Sequence, residues 1–576
     1  MVMRAEEQPA WLPVLAEALV EALPRLTQTE QDPRLAELIR ALTAALARGE
    51  PELRLHAPAP AEVDAHHWPD GHREALEGSP LASPPLGPLV LDDGRIVWRR
   101  WWERRQSVLE NLIRRAETTP SGTPAAGEPP PEEPAAEASE PGDKRLDPDQ
   151  RRAVAAVLRH RLVLLQGGPG TGKTSTVARM LARLERHQGG ARLHLAAPTG
   201  KAAARLRAAS GGRHPCTTLH RLLESRGEGF ARNRHNPLPL DLLVVDEVSM
   251  VDLGLMEALL EALPDSCRLV LVGDPAQLPP VAPGALLPEL QRPALQQALG
   301  AAAITLRTVH RNDGAIAAAA ARLRQGIEAA EASGNGAEAP DPLLALRELL
   351  EGLGPEDNLR WYESTAPSLP EPLLEPLQRH RKRLAELAAA CAGTGGEAGA
   401  VAERALLAER DRLLVLVPRR RGRWGVEAIH RALLGPAALA DPRLWPAGTP
   451  VLCTRNLPEL DLANGDLGVV LAADPLDGTR WLLFGTGEAA ASADTTAEGE
   501  GTLRVHPAQL AGSLEPALAL TVHKAQGSEA ETVIVLLPGG ERTDGRLLYT
   551  ALTRARRQAR LICATESRSV KTINET

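Results

Sequence analysis

The chain is poor in aromatic rings, cysteine and lysine, and each scarcity excludes something. Phe, Tyr and Trp together make up 2% of its 576 residues, so few rings are available for stacking nucleic-acid bases. The five cysteines (Cys216, Cys267, Cys391, Cys453 and Cys563) are scattered and form no CxxC pair. Neither a disulfide framework nor a zinc site is expected, and the compartment reads as reducing and cytoplasmic. No apolar run reaches the ~18 residues a membrane span needs. The first twenty residues carry Glu6, Glu7 and Glu17 without a small-residue cleavage pattern, so no secretory leader is expected. The formal net charge is −8, which argues against a uniformly basic nucleic-acid binder but leaves room for a basic channel inside an acidic total. Lysine occurs only at Lys144, Lys173, Lys201, Lys382, Lys524 and Lys571. Lys173, Lys201 and Lys524 fall inside the motifs below, where a compact point charge is of use.

The length suggests three or four domains at ~100–200 residues each. Residues 1–118 carry helical apolar periodicity (Leu12–Leu23, Leu35–Leu46) and end in a basic stretch with Trp98, Trp101 and Trp102, which reads as a helical N-terminal domain. Residues 119–145 are rich in Pro, Ala and Glu and read as a disordered linker. From Leu146, short apolar runs alternate with helical stretches, the pattern of a parallel sheet covered by helices. This gives an α/β fold with a first motor domain over 146–300 and a second over 301–576. Residues 331–410 read as helices and loops without a motif. Residues 447–512 carry short strands and turn signals (Asn464-Gly465, Asp477-Gly478), read as a small inserted β-barrel.

The strongest chemical signal is Gly167-Gly168-Pro169-Gly170-Thr171-Gly172-Lys173-Thr174. It fits GxxxxGK[ST] and lies between an apolar strand and a helix, as a P-loop requires. Glycines let backbone N–H groups converge on phosphate oxygens, and the helix N-terminus adds positive charge. Lys173 is expected on the β- and γ-phosphates of ATP, and the Thr174 hydroxyl on Mg²⁺. Leu242-Leu243-Val244-Val245 runs into Asp246-Glu247. Asp246 is expected to hold Mg²⁺ and Glu247 to orient and deprotonate water.

Further motifs narrow an ATPase to a helicase. Leu146-Asp147-Pro148-Asp149-Gln150, Ala197-Pro198-Thr199-Gly200-Lys201-Ala202, Thr217-Thr218-Leu219-His220 and Gly273-Asp274-Pro275-Ala276-Gln277 follow in order. Val309-His310-Arg311, Leu520-Thr521-Val522-His523-Lys524-Ala525-Gln526-Gly527 and Tyr549-Thr550-Ala551-Leu552-Thr553-Arg554 come later. This set resembles the RecD family, the superfamily-one helicases that form the alpha subunit of RecBCD (exodeoxyribonuclease V). The likeness covers roughly 146–325 and 411–565. Pro418–Val426 and Arg455-Asn456 with Asn464–Gly468 add to it.

The resemblance implies two RecA-like motor domains. It implies adenine contact by Gln150, a γ-phosphate sensor at Gln277 and arginines on the transferring phosphate at Arg311 and Arg554. DNA contacts are implied at Thr199, Lys201, Thr218, His220, Thr521 and His523. It also implies ATP-driven 5′→3′ translocation on single-stranded DNA and assembly with RecB and RecC at duplex ends. The role implied is double-strand-break repair, recombination and degradation of linear duplex DNA, with the nuclease centre in RecB. Residues 1–118 stand where RecD contacts RecC. A stand-alone RecD-like helicase would add N-terminal helix-hairpin-helix elements, of which 1–118 shows no paired glycine signal. A nucleotide-binding scaffold is the third reading; its ATPase would not respond to single-stranded DNA.

Overall fold

Strand alternation decides the architecture: in β4 (Leu162–Gly167), Leu162 and Leu164 face one way and Val163 and Leu165 the other, and all four are buried. A strand with apolar residues on both faces needs cover on both. The computed structural model describes residues 11–119, 146–227, 229–309, 314–333, 341–366, 368–392, 396–436, 439, 441–460, 462–474, 478–486, 501–539 and 543–565. The linker expected over 119–145 lies outside them, Thr119 excepted. The chain forms two compact units, one of residues 1–198, 206–310 and 327–339, the other of residues 199–205, 311–326 and 340–576.

In the first unit the N-terminal helices α1 (Trp11–Thr27), α2 (Pro33–Ala47) and α3 (Asp70–Glu77) pack around β1 (Glu52–Arg54), β2 (Leu89–Asp92) and β3 (Arg95–Trp98). These strands form an antiparallel sheet of order β1-β3-β2, which the helical reading of 1–118 did not include. Asp32 caps α2 by accepting from the Arg34 amide at 2.8 Å, the usual way a short polar side chain satisfies an orphan donor.

The large sheet of this unit is parallel, in the order β11-β4-β10-β9-β5-β6. Its members besides β4 are β5 (Leu193–Ala197), β6 (Cys216–Thr218), β9 (Leu242–Val245), β10 (Arg268–Gly273) and β11 (Ala303–Leu306); β7 (Ser225–Arg226) and β8 (Gly229–Phe230) form a separate hairpin. β11 pairs with β4, so the first sheet runs past the boundary expected at residue 300. Helices α5 (Pro148–Arg159) and α6 (Lys173–His187) cover one face through Val157, Val177 and Met180.

The other face is covered by α9 (Leu253–Ala262) and by α4 (Arg99–Glu117). Val108, Leu109, Leu112 and Ala116 of α4 share one core with Leu162, Leu164, Leu243 and Val245. The Arg115 guanidinium, 2% exposed, donates to the carbonyls of Cys267 (2.9 Å) and Leu263 (3.0 Å), satisfying acceptors just beyond the end of α9. The boundary expected near residue 118 therefore does not separate two cores. Trp98, Trp101 and Trp102 are used inside this unit. Trp98 packs on the N-terminal core, Trp101 lies against the α4–α9 core beneath Arg104, and Trp102 Nε1 donates to Asp92 at 2.8 Å.

The second unit has its own parallel sheet, β12-β21-β20-β13-β19, built from β12 (Leu359–Ser364), β13 (Leu413–Val417), β19 (Leu520–Thr521), β20 (Ala530–Leu537) and β21 (Ala555–Ala564). β12 lies in the stretch 331–410 read as helices and loops. It is an edge strand with partly exposed Trp361 and Tyr362, and it lacks an aliphatic run. A five-stranded antiparallel sheet follows, of order β17-β16-β15-β14-β18: β14 (Pro450–Cys453), β15 (Leu467–Val470), β16 (Leu482–Thr486), β17 (Gly501–Val505) and β18 (Leu514–Pro516). Among the described residues the edge strands β17 and β18 do not pair with each other, so these five strands form a sheet and not the closed barrel that was expected. One face encloses Val451, Phe484 and Val505; the other packs Val469 and Leu483 on Leu384, Ala388 and Leu406 of two helices, Glu371–Ala390 and Gly396–Arg410.

Leu112→Ala leaves a cavity in the first sheet's core, and we expect it to destabilise this unit by about 2–5 kcal/mol. Urea denaturation followed by far-ultraviolet circular dichroism measures this. A loss under 1 kcal/mol would mean that α4 is not part of this sheet's core.

Candidate nucleotide site and nucleic-acid contacts

The C-terminal edge of the first parallel sheet gathers the residues expected to handle ATP. β4 ends at Gly167, and α6 starts at Lys173. Between them Gly170 and Gly172 have φ of +76° and +81°, a left-handed backbone that side chains with a Cβ disfavour. Gly172 is the N-cap of α6 and gives it no side-chain cap, which leaves the first-turn amides pointing where an anion is favoured. A Cβ on Gly167 would lie 2.6 Å from Thr171 Oγ1, and Thr171 Oγ1 itself donates to Gly168 O at 2.8 Å. Lys173 Nζ donates to Gly167 O at 2.6 Å and Gly168 O at 2.9 Å, so its ammonium lies over the loop. Pro169 and Thr174 complete the turn and the first helical residues.

β9 and β10 are neighbours in this sheet and deliver the acidic groups to the same edge. Asp246 and Glu247 directly follow β9 and are 6% and 7% exposed. Asp246 Oδ1 accepts from the Glu247 amide at 2.8 Å. Glu247 has φ +54°, a strained setting for a non-glycine residue that recurs at functional sites. Asp274, directly after β10, is fully buried. It accepts from the Ala276 amide at 3.2 Å and from Gln277 Nε2 at 3.4 Å, which holds the buried Gln277 side chain by the strand end.

Gln150 takes a position that its expected adenine contact did not suggest. Asp147 and Gln150 form a capping box at the start of α5, with Gln150 Oε1 accepting from the Asp147 amide at 3.1 Å. Its Nε2 donates to Thr171 O at 3.3 Å. The residue is 5% exposed, so it braces the phosphate loop from the side.

Of the residues expected on DNA, Thr218 caps the short helix α8 (Leu219–Leu222) by accepting from the Arg221 amide at 3.3 Å. His220 is exposed, with its ring 6.0 Å from that of Phe230. Thr199 and Lys201 lie at the start of α7 (Gly200–Ala209) and cluster with the second unit. There Lys201 Nζ donates to Ser528 Oγ at 3.1 Å, and Arg205 pairs with Glu529 at 2.9 Å. Burial, with Arg410 adding repulsion, pushes the Lys201 pKa down to about 8. Thr521, at the end of β19, accepts from the Lys524 amide at 3.4 Å. Burial lowers the His523 pKa, which favours the neutral ring. Arg554 is 3% exposed and donates through Nε to Thr550 O at 3.1 Å. Arg311 lies outside the described residues.

Two carboxylates were not singled out from sequence. Glu529 bridges Arg205 and Arg556 (2.9 and 3.0 Å), and Glu515 bridges Lys524 and Arg420 (2.8 and 2.9 Å). Each sits inside or beside a quoted motif, but nothing in the spacing of the chain says which cations it will meet.

This edge is that of a P-loop nucleotide hydrolase, and the family matches place it among helicases. The AAA domain model matches residues 150–283, and the UvrD-like helicase C-terminal domain model matches residues 516–562. Among curated proteins, the RecBCD enzyme subunit RecD of Mycolicibacterium smegmatis is 35% identical over 96% of this chain and 94% of its own length. That of Mycobacterium tuberculosis is 34% identical over 92% of this chain and 88% of its own. The ATP-dependent RecD2 DNA helicase of Deinococcus radiodurans is 33% identical over 72% of this chain and 48% of its own. The chain belongs to the RecD family and is an ATP-dependent DNA helicase. Among the described residues no helix is long and apolar enough to cross a membrane.

The Lys201 ammonium gives a pH signature. Folded, it releases its proton near pH 8; an ordinary lysine does so near 10.5. Between those values the unfolded chain holds more protons, so stability rises with pH across that window. Lys201→Met should flatten this rise relative to wild type, measured by urea melts from pH 7 to 10. Parallel curves would reject the burial of this charge.

Proposed function

We propose that the chain is the motor subunit of a RecBCD-type complex. In this reading it translocates 5′→3′ on single-stranded DNA with RecB-like and RecC-like partners, from duplex ends, in double-strand-break repair, recombination and degradation of linear duplex DNA. The nuclease centre belongs to a partner. The observation that carries the motor is the convergence of the 167–174 loop, Asp246-Glu247 and Gln277 at one edge of a parallel sheet. The subunit reading is supported by the two RecD subunits, matched over 94% and 88% of their own length. Among the described residues no group of three or more His, Cys, Asp or Glu could hold a metal by itself.

In this reading the loop amides and Lys173 bind the ATP phosphates, and Gln150, which is bonded to the loop through Thr171 O, contacts the adenine. The donor set fits Mg²⁺: a first-turn hydroxyl, Thr174, and a buried carboxylate, Asp246, are hard oxygens of the kind this ion takes. Bound there, Mg²⁺ would neutralise charge on the phosphate oxygens. Glu247 orients water and accepts its proton, and Gln277 senses the γ-phosphate. Arg311 and Arg554 add positive charge in the transition state, a contact worth ~10³–10⁵ in rate. Thr199, Lys201, Thr218, His220, Thr521 and His523 serve the DNA backbone, which gives affinity without sequence preference. The two motor domains are RecA-like, and the antiparallel insert stands where the family barrel is expected. A partner surface is supported by α1, which exposes Trp11, Val14, Leu15 and Leu26 at 57%, 71%, 42% and 78%. Apolar side chains gathered on one exposed helix mark interaction sites.

Lys173→Gln should abolish DNA-stimulated ATP turnover and keep the thermal unfolding midpoint within a few degrees; full turnover would reject the phosphate-loop assignment. For Arg554→Ala we expect nucleotide affinity within about tenfold of wild type and a turnover loss of ~10³ or more. Stopped-flow hydrolysis beside nucleotide titration separates the two quantities, and an unchanged rate would remove Arg554 from the reaction.

A further inference from the structure

A basic cleft in the second unit has no part in the site described so far. It lies between the helix Glu371–Ala390 and the turn 446–449 that leads into β14. Its volume is about 280 Å³, just under the ~300–1,000 Å³ of sites that enclose a whole small-molecule ligand. Gln378, Arg381, Lys382 and Ala385 line one wall. Their spacing of three, four and seven residues puts them on one helix face. Gly448 and Thr449 line the other wall, and neither a carboxylate nor an aromatic ring lines the cleft.

The cations of this helix divide by face. Arg379 pairs with Glu375 and Arg383 with Glu386 (3.2 Å), both away from the cleft. Arg381 and Lys382 line the cleft and have no carboxylate partner among the described residues. Among the described residues Arg381 donates to Leu433 O alone, at 3.3 Å, which fixes its guanidinium without neutralising it. Burial lowers the Arg381 pKa. A half-buried cation without a counter-charge is unfavourable, and an incoming anion relieves it.

We propose that this cleft seats a backbone phosphate of single-stranded nucleic acid, with Arg381 and Lys382 as charge donors and Gln378 as a neutral donor. The size suits a phosphodiester better than a whole nucleotide. The lack of a ring in the lining suits backbone rather than base contact. The inference rests on the helicase reading, which supplies the strand. Arg381 and Lys382 add a contact outside the motifs, on the arm that joins the parallel sheet to its antiparallel insert.

The test is fluorescence anisotropy of a labelled oligothymidine with the full chain across a salt series. Arg381→Gln/Lys382→Gln should lower affinity about tenfold at 0.1 M salt and flatten the slope of log K against log salt by about 0.7, one single-strand phosphate contact. Lys382→Gln alone, at an exposed residue without bonds to lose, should move both in the same direction by less. Arg379→Gln/Arg383→Gln removes equal charge from the other face and should stay within about twofold. Equal losses in both double variants, or an unchanged slope in the cleft variant, overturn the proposal. So does unchanged oligonucleotide binding by the cleft variant together with weakened binding of inorganic phosphate or of an acidic peptide by calorimetry, which would assign a free anion or a protein ligand. Wild-type protein that fails to bind the oligonucleotide sinks the helicase reading itself; wild-type binding with an indifferent cleft variant sinks only this inference.

Discussion

A parallel sheet buried on both faces offers solvent only its strand ends, and that constraint organises this molecule. Apolar residues fill both sides of β4, β9 and β10, so each face must be sealed by helices. Helices α5 and α6 seal one. The other takes α9 and also α4. The N-terminal region is therefore joined to the ATPase core by hydrophobic burial, and Arg115 adds hydrogen bonds to carbonyls that would otherwise be buried without donors. Charges reinforce the join. Glu52 and Glu289, each with a side chain 13% exposed, share Arg95 at 3.0 and 3.1 Å, and Arg105 reaches Glu52 at 3.0 Å. Burial alone would raise the Glu289 pKa, but Arg95, Arg105 and Arg292 outweigh it and hold it low. Removing one partner of so enclosed a group leaves a charge without compensation, which costs far more than an exposed pair is worth.

Because the strand ends are the open edge, the reactive groups collect there together with the backbone strain. Left-handed Gly170 and Gly172 shape the loop, and left-handed Glu247 turns its carboxylate at the end of β9. Asp246 and Asp274 are buried yet accept from nearby amides, and the buried Gln277 donates to Asp274. Fixed dipoles and carboxylates at this edge need little rearrangement when a triphosphate arrives, which is where electrostatic catalysis gains most.

The second unit obeys the same rule with a different solution. Its parallel sheet carries an antiparallel insert whose two faces serve two cores, one internal and one against a helix pair. The segment 199–205 clusters with this unit, and Glu529 draws Arg205 and Arg556 together. Motifs that look independent along the chain thus share a carboxylate.

The phosphate loop, the Asp246-Glu247 pair and the alternation of strands and helices were legible in the sequence, because each depends on local geometry: glycines where φ must be positive, a hydroxyl and a lysine at fixed offsets, apolar runs of strand length. The family could be read for the same reason. What the sequence could not settle was which surfaces meet. Alternation shows that β4 needs cover on two sides but not that α4 provides half of it, since an amphipathic helix fits any apolar face of suitable shape. β11 and β12 fell outside the expected sheets because strand membership is fixed by partners distant in the chain. The bond from Gln150 to Thr171 O of the phosphate loop has no signal in the motif either. Local backbone chemistry determined the site; long-range packing alone decided its supports, because burial rewards area and shape without regard to order along the chain.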